Sequence, residues 1–121
     1  MADIVAPDFV RHSQATAGPE VRSLDEFVTL QRMFLASMPD QRVAIDQVVA
    51  EGDLVAVRAR YSGTLTGPMG DFPATGKSAE TTFLAMFRIA DRKIAEMWVE
   101  WDNMAMLTQL GLFPPAAPPE G

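Results

Sequence analysis

The sequence predicts an α+β domain in which a curved antiparallel sheet wraps around a helix. Three observations predict it. A helical period of apolar residues occupies positions 24–37, an alternating period broken by turn signals runs from Val43 to Asp102, and a short helical segment closes the pattern at Gly111. Helix and strands are grouped along the chain rather than interleaved, which is the order of α+β rather than doubly wound architecture.

Taken in order, residues 4–10 read as a short helical or irregular piece and residues 14–18 as a loop. Ser23 suits a helix N-cap, with Glu26 three residues on as a capping box requires. Leu24, Phe27, Val28, Leu30, Phe34, Leu35 and Met38 then recur at spacings of three and four, giving one apolar stripe that Pro39-Asp40 ends. Val43, Ile45, Val48 and Val49 mark a strand, and Glu51-Gly52-Asp53 turns it into a second, β-branched strand over residues 54–64. Residues 63–76 are rich in Gly and Pro and read as a long loop over a cavity mouth. Residues 78–89 and 94–102 are two further strands, joined by Ala90-Asp91-Arg92-Lys93. A helix from Asn103 to Leu110 stops at Gly111, a natural C′ residue. The proline-rich residues 114–121 cannot continue it and read as a disordered tail, leaving residues 1–113 as one domain.

Composition excludes several functions. Ten basic residues against sixteen acidic ones give a net charge of -6, which repels phosphate backbones and anionic lipid. Nucleic acid and membrane are therefore not the expected partners. No apolar run has the length of a membrane span or the shape of a signal peptide, so a cytoplasmic protein is expected. The absence of cysteine removes disulfide and thiol chemistry, and the single histidine, His12, excludes a polyhistidine metal site within one chain. Ala74-Thr75-Gly76-Lys77-Ser78 imitates the end of a phosphate loop. Its glycines, Gly70 and Gly76, have five residues between them instead of four, and strand-like residues follow, so Lys77 reads as a solvated loop residue.

Chemistry concentrates in Ile94-Ala95-Glu96-Met97-Trp98-Val99-Glu100-Trp101-Asp102. An acid beside large aromatic surface loses water, and desolvation moves a carboxyl towards the range useful for proton transfer. On a regular strand Ile94, Glu96, Trp98, Glu100 and Asp102 share one face, and Met97, Val99 and Trp101 the other. A four-residue loop pairs Ile89 with Ile94, which adds Phe83, Ala85 and Phe87 to the first face and Leu84 and Met86 to the second. The first face is assigned to a pocket and the second to a dimer contact or helix packing; a one-residue bulge exchanges part of the set. Asp102 is either the N-cap of the following helix or a pocket acid, and Glu100 either a rim residue or a second pocket acid. His12 is a structural histidine or a proton donor. Tyr61 is a wall residue or a hydroxyl that orients substrate. Trp98, Phe34, Phe83 and Phe87 complete the expected substrate-binding set, a flat apolar wall suited to a polycyclic or terpenoid ligand. Arg58 and Arg60 lie on the face opposite Tyr61, and the numerous methionines suit an adaptable core or pocket lining.

Asp8-Phe9-Val10-Arg11-His12, Val48-Val49-Ala50-Glu51-Gly52-Asp53, Gly63-Thr64, Pro73-Ala74-Thr75-Gly76-Lys77, Phe87-Arg88-Ile89, Lys93-Ile94-Ala95-Glu96, Trp98, Asp102 and Gln109-Leu110-Gly111 form an ordered set. In order and spacing it resembles the SnoaL-like polyketide cyclases, of the wider NTF2-like folds, over residues 5–114. The resemblance implies a cone-shaped α+β fold around a deep apolar pocket, usually in homodimers, with no cofactor and no metal. It implies Asp102 as the acid/base of an intramolecular aldol closure; epoxide hydrolases and isomerases are among the relatives. Family members open with a long helix before the segment matching Asp8 to His12, which this sequence does not contain; a more open pocket, or one covered by a partner chain, is implied. Relatives often carry histidine where Leu65 stands, so His12 is the candidate partner for Asp102. Two functions are expected: an enzyme of the cyclase, isomerase or hydrolase kind, or a non-catalytic dimeric small-molecule-binding domain.

Overall fold

A computed structural model describes residues 2–15 and 20–113; the expected tail at 114–121 and the end of the expected loop at 14–18 lie outside the described residues. The elements are β1 (Val5–His12), α1 (Leu24–Ser37), β2 (Arg42–Glu51), β3 (Leu54–Thr64), β4 (Ser78–Ala90), β5 (Lys93–Trp101) and α2 (Asn103–Gln109). The strands form one curved, open sheet in the order β1-β5-β4-β3-β2.

The segment expected to be helical or irregular is instead strand β1, which runs parallel to β5, so the sheet is mixed rather than antiparallel. Val5 and Phe9 are buried while Pro7 and Asp8 between them are exposed, and the register slips between Val5 and Val10. An edge strand tolerates proline, which has no N–H to give to a ladder. The slip hides the alternation that marks a strand in the sequence.

Helix α1 forms as its stripe requires. Ser23 Oγ accepts the Glu26 N–H at 3.1 Å, and the Glu26 carboxylate reaches back to the Arg22 N–H at 2.7 Å, one residue earlier than a standard capping box. Leu24, Phe27 and Leu30 pack on Val5, Phe9, Val21, Ile94 and Met97, with the Phe9 and Phe27 ring centroids 4.8 Å apart. A second cluster, Met38, Leu65, Ala79, Met106 and Leu110, seats α2 against Tyr61 and Trp101. Both helices thus lie on the same face of the sheet, the inner face.

The β4–β5 connection decides which side chains share that face. Asp91 and Arg92 have φ of 51° and 65°, the left-handed pair of a tight two-residue hairpin, so the turn is shorter than four residues. Ile89 does pair with Ile94, but Arg88 pairs with Glu96, leaving Ala95 as a bulge. Every later pair moves by one: Phe87 with Met97, Ala85 with Val99, Phe83 with Trp101, and Met86 with Trp98. The expected faces are therefore exchanged. Phe83, Ala85 and Phe87 lie with Met97, Val99 and Trp101, while Leu84 and Met86 lie with Trp98 and Glu100 on the outer face.

The long loop between β3 and β4 is tied to both helices. Thr66 and Gly67 donate N–H to Ser37 O, Ser37 Oγ donates to Pro68 O at 2.6 Å, and Thr75 Oγ1 donates to Leu110 O at 2.6 Å. Leu65 is fully buried. Lys77 is exposed, as expected of a solvated loop residue, and its stem lies beside Gly111 (φ 80°) near the negative end of α2.

Candidate functional site on the inner face

Strand pairing sets the inner face in rows. Ile45, Ala59, Phe83 and Trp101 make one row; Val48, Val57, Ala85 and Val99 the next; Val55, Phe87, Met97 and Arg11 a third; Tyr61 and Thr81 flank the first on the α2 side. Ala59 and Ala85 give a low floor, and Tyr61, Phe83, Phe87 and Trp101 rise around it half-buried. Along β2 the inner positions Val43, Ile45 and Val48 are exposed, so the apolar surface opens towards that edge. Phe34 is also half-buried, one turn beyond Leu30 on the α1 stripe.

Two polar side chains that sequence reasoning passed over are buried here. Arg11 is 6% exposed, and its guanidinium carbon lies 5.9 Å from the Trp101 ring centroid. β1 pairs Arg11 with Met97, two inner-face rows from Trp101, so the two long side chains lean towards each other along the sheet. Burial pulls the guanidinium below its ordinary value and the Glu100 charge works against that, but an arginine stays charged regardless. Thr81 is buried beside Tyr61, whose hydroxyl donates to Gln41 Oε1 and is pushed up to about 12 by burial. Reading residues 4–10 as strand would have found Arg11: Phe9 and Arg11 then alternate onto the face that α1 covers.

The expected site residues are not brought together. Asp102 is exposed and caps α2, Oδ1 accepting the Ala105 N–H at 2.9 Å, while Oδ2 has no partner among the described residues. Trp98, Glu100 and His12 lie on the outer face, across the sheet from Tyr61, Phe83 and Phe87. Glu100 accepts the Gln14 N–H at 2.8 Å. His12 stacks on Trp98 with centroids 5.5 Å apart, its Nδ1 3.0 Å from Glu20 Oε1 and its Nε2 2.6 Å from Glu96 Oε2. Arg88 donates to the other oxygen of Glu96 at 3.1 Å. The protonated imidazole donates from both nitrogens to carboxylates, and those hydrogen bonds raise its pKa. In that form it has no lone pair to offer as a base. Arg60 pairs with Asp46, a surface acid, at 3.1 Å.

An open cleft of about 510 Å³ lies elsewhere, at the β2–β3 and β4 ends, lined by polar residues including Asp40, Arg42, Ser62, Ser78 and Gln109.

The fold matches known proteins. The family profile of the SnoaL-like polyketide cyclases matches residues 1–110. The chain belongs to the SnoaL-like polyketide cyclase family. Among solved structures it is similar to IdmH of Streptomyces antibioticus, a candidate polyketide cyclase, at 33% identity and TM-score 0.75 over 90% of this chain and 83% of that one. AclR of Streptomyces galilaeus, a candidate hydroxylase, is 27% identical with TM-score 0.78, covering 96% and 71%. A candidate SnoaL-like polyketide cyclase of Jannaschia sp. CCS1 shares the fold at TM-score 0.82 and 24% identity, covering 92% and 76%. No curated protein matches the chain in sequence. The architecture is thus the NTF2-like cone of a SnoaL-like protein, a fold associated with small-molecule enzymes, its sheet left open. Among the described residues no helix is long and apolar enough to cross a membrane.

Proposed function

We propose that this SnoaL-like chain is an enzyme that binds an apolar, carbonyl-bearing or cyclic molecule on the inner face and uses Asp102 for acid/base chemistry of the polyketide-cyclase type. The observation that carries the reading is the place of Asp102: it directly follows Trp101, over which the buried Arg11 cation lies. The carboxylate thus stands next in sequence to a flat aromatic wall over which a desolvated positive charge lies. Asp102 Oδ2 removes a proton from a carbon next to a carbonyl. The field of Arg11 favours the enolate oxygen as its charge develops, more strongly than in water because Arg11 itself is buried. The enolate carbon adds to a second carbonyl of the same molecule, the new alkoxide takes the proton from Asp102, and the product is an isomer of the substrate. Epoxide opening is the alternative chemistry, in which the carboxylate activates water instead.

Asp102→Asn tests the reading cleanly, because asparagine caps a helix about as well as aspartate. Wild type and variant are incubated with a panel of poly-β-carbonyl compounds and terpenoid epoxides, and products are read by mass. The variant is expected to keep the unfolding midpoint and to lose about a hundredfold or more of any turnover. Unchanged turnover removes Asp102 from its role.

One observation favours a second reading, a non-catalytic ligand-binding domain: the only histidine is fixed on the outer face with both nitrogens occupied. Binding of panel compounds without conversion by the wild type selects that reading. Under either, we propose that the chain is a homodimer joined through the outer face, where Leu84, Met86, Trp98 and Val49 are exposed side by side.

A further inference from the structure

We infer that the hydroxyl of Thr81 is a hydrogen-bonding group for the molecule held on the inner face. The inference rests on the reading of that face as a ligand site and adds to it a residue that family membership does not supply. Thr81 is 8% exposed, and its Oγ1 is the one buried side-chain polar atom among the described residues that has no hydrogen-bond partner. Its neighbours are satisfied: the Tyr61 hydroxyl, paired across the strand from it, donates to Gln41, and Trp101 Nε1 donates to Asn103 Oδ1 at 3.2 Å. The orphan is therefore confined to one atom.

A buried hydroxyl with no partner is a standing cost that folding alone does not explain. Valine has the same shape, is at least as good in a strand and carries no polar atom, so a position under selection for the fold alone is better served by valine. Thr81 is also placed where a ligand would use it. It precedes Phe83 by two residues on the same face, and Phe83 pairs with Trp101 in the aromatic row that the Arg11 guanidinium overlies. The cluster at this end contains Met38 and Met106, with Met69 at its margin, and unbranched thioether side chains move aside at little cost. A carbonyl or hydroxyl oxygen of a flat ligand lying on Phe83 and Trp101 then reaches Oγ1, which can donate or accept.

Thr81→Val and Thr81→Ser separate the possibilities in two measurements. Without ligand, valine is expected to raise the thermal midpoint and serine to leave it level or lower. A midpoint lowered by valine means that a structural water already satisfies the hydroxyl, and overturns the inference. With 1,8-dihydroxyanthraquinone as the probe, calorimetric titration is expected to show binding about tenfold weaker for valine and near wild type for serine. Equal binding by the valine variant, with Phe83→Ala weakened, overturns the role of Thr81 and leaves the inner-face reading standing. Failure of the wild type to bind the probe removes that reading and the inference with it.

Discussion

Both ring nitrogens of His12 end on carboxylates, and its titration therefore enters the stability of the fold. Hydrogen bonds to Glu20 and Glu96 raise its pKa above the ordinary 6.5, and the same bonds lower those of the two glutamates below their ordinary 4.5. A raised value in the folded state gives a contribution fully present below pH 6.5 and lost as pH rises through the folded-state value. For the glutamates the sign is opposite: their contribution is present above pH 4.5 and lost as pH falls through the depressed values. The cluster is complete only between those limits. The thermal midpoint of the wild type is expected to fall above neutrality by more than that of His12→Gln, and parallel profiles would show that the cluster does not contribute. The difference is expected to be small, since His12 is 29% exposed and solvent screens the pair.

At the scale of elements, close approach rather than hydrophobicity fixes the long loop. A Cβ on Gly67 would stand 2.1 Å from the carbonyl oxygen of Ala36, at the C-terminal turn of α1, and no backbone atom can yield that distance. Gly67→Ala is expected to cost about 1–3 kcal/mol, read as a lower urea midpoint at unchanged slope; an unaltered midpoint would mean that loop and helix separate freely. This constraint was not legible in the sequence, where Gly67 is one glycine among several in a polar stretch. Much else was. The stripe from Leu24 to Met38 and the Ser23 cap gave α1, and Gly52 and Gly111 marked a turn and a helix end, because each rests on local spacing or backbone conformation. What failed was non-local. The Ala95 bulge leaves no compositional mark, yet it exchanges the faces of everything after it and so sends Trp98 and Phe83 to opposite sides. Asp102 before Asn103 was legible as a cap, and the cap is what the geometry displays; Arg11 was not legible as an inner residue, because the slip around Pro7 conceals the alternation of β1.

For the whole molecule, the exchange of faces leaves an apolar outer surface that needs a cover. Val49, Ala56, Met86 and Trp98 form one continuous row across four strands, and Leu84 stands next to it, 60% exposed. Arg58, Arg88, Glu96 and Glu100 surround them, so the surface has the apolar centre and charged rim of a protein interface. Contiguous apolar patches of this kind are uncommon on monomers. If a second copy covers the face, a charge at Leu84 must be taken out of water, whichever its sign, and the association is expected to weaken by at least about a hundredfold. The cross-strand neighbours make the choice of sign informative. Leu84 pairs with Arg58 on one side and Glu100 on the other, so glutamate and arginine each meet one attractive and one repulsive neighbour within the subunit. Monomer stability should therefore change alike in the two variants. Sedimentation equilibrium of Leu84→Glu and Leu84→Arg is expected to give monomers in both cases from a dimeric wild type. Dissociation by one sign only would mean that charge pairing rather than apolar burial joins the subunits, and a monomeric wild type would leave the outer face without this partner.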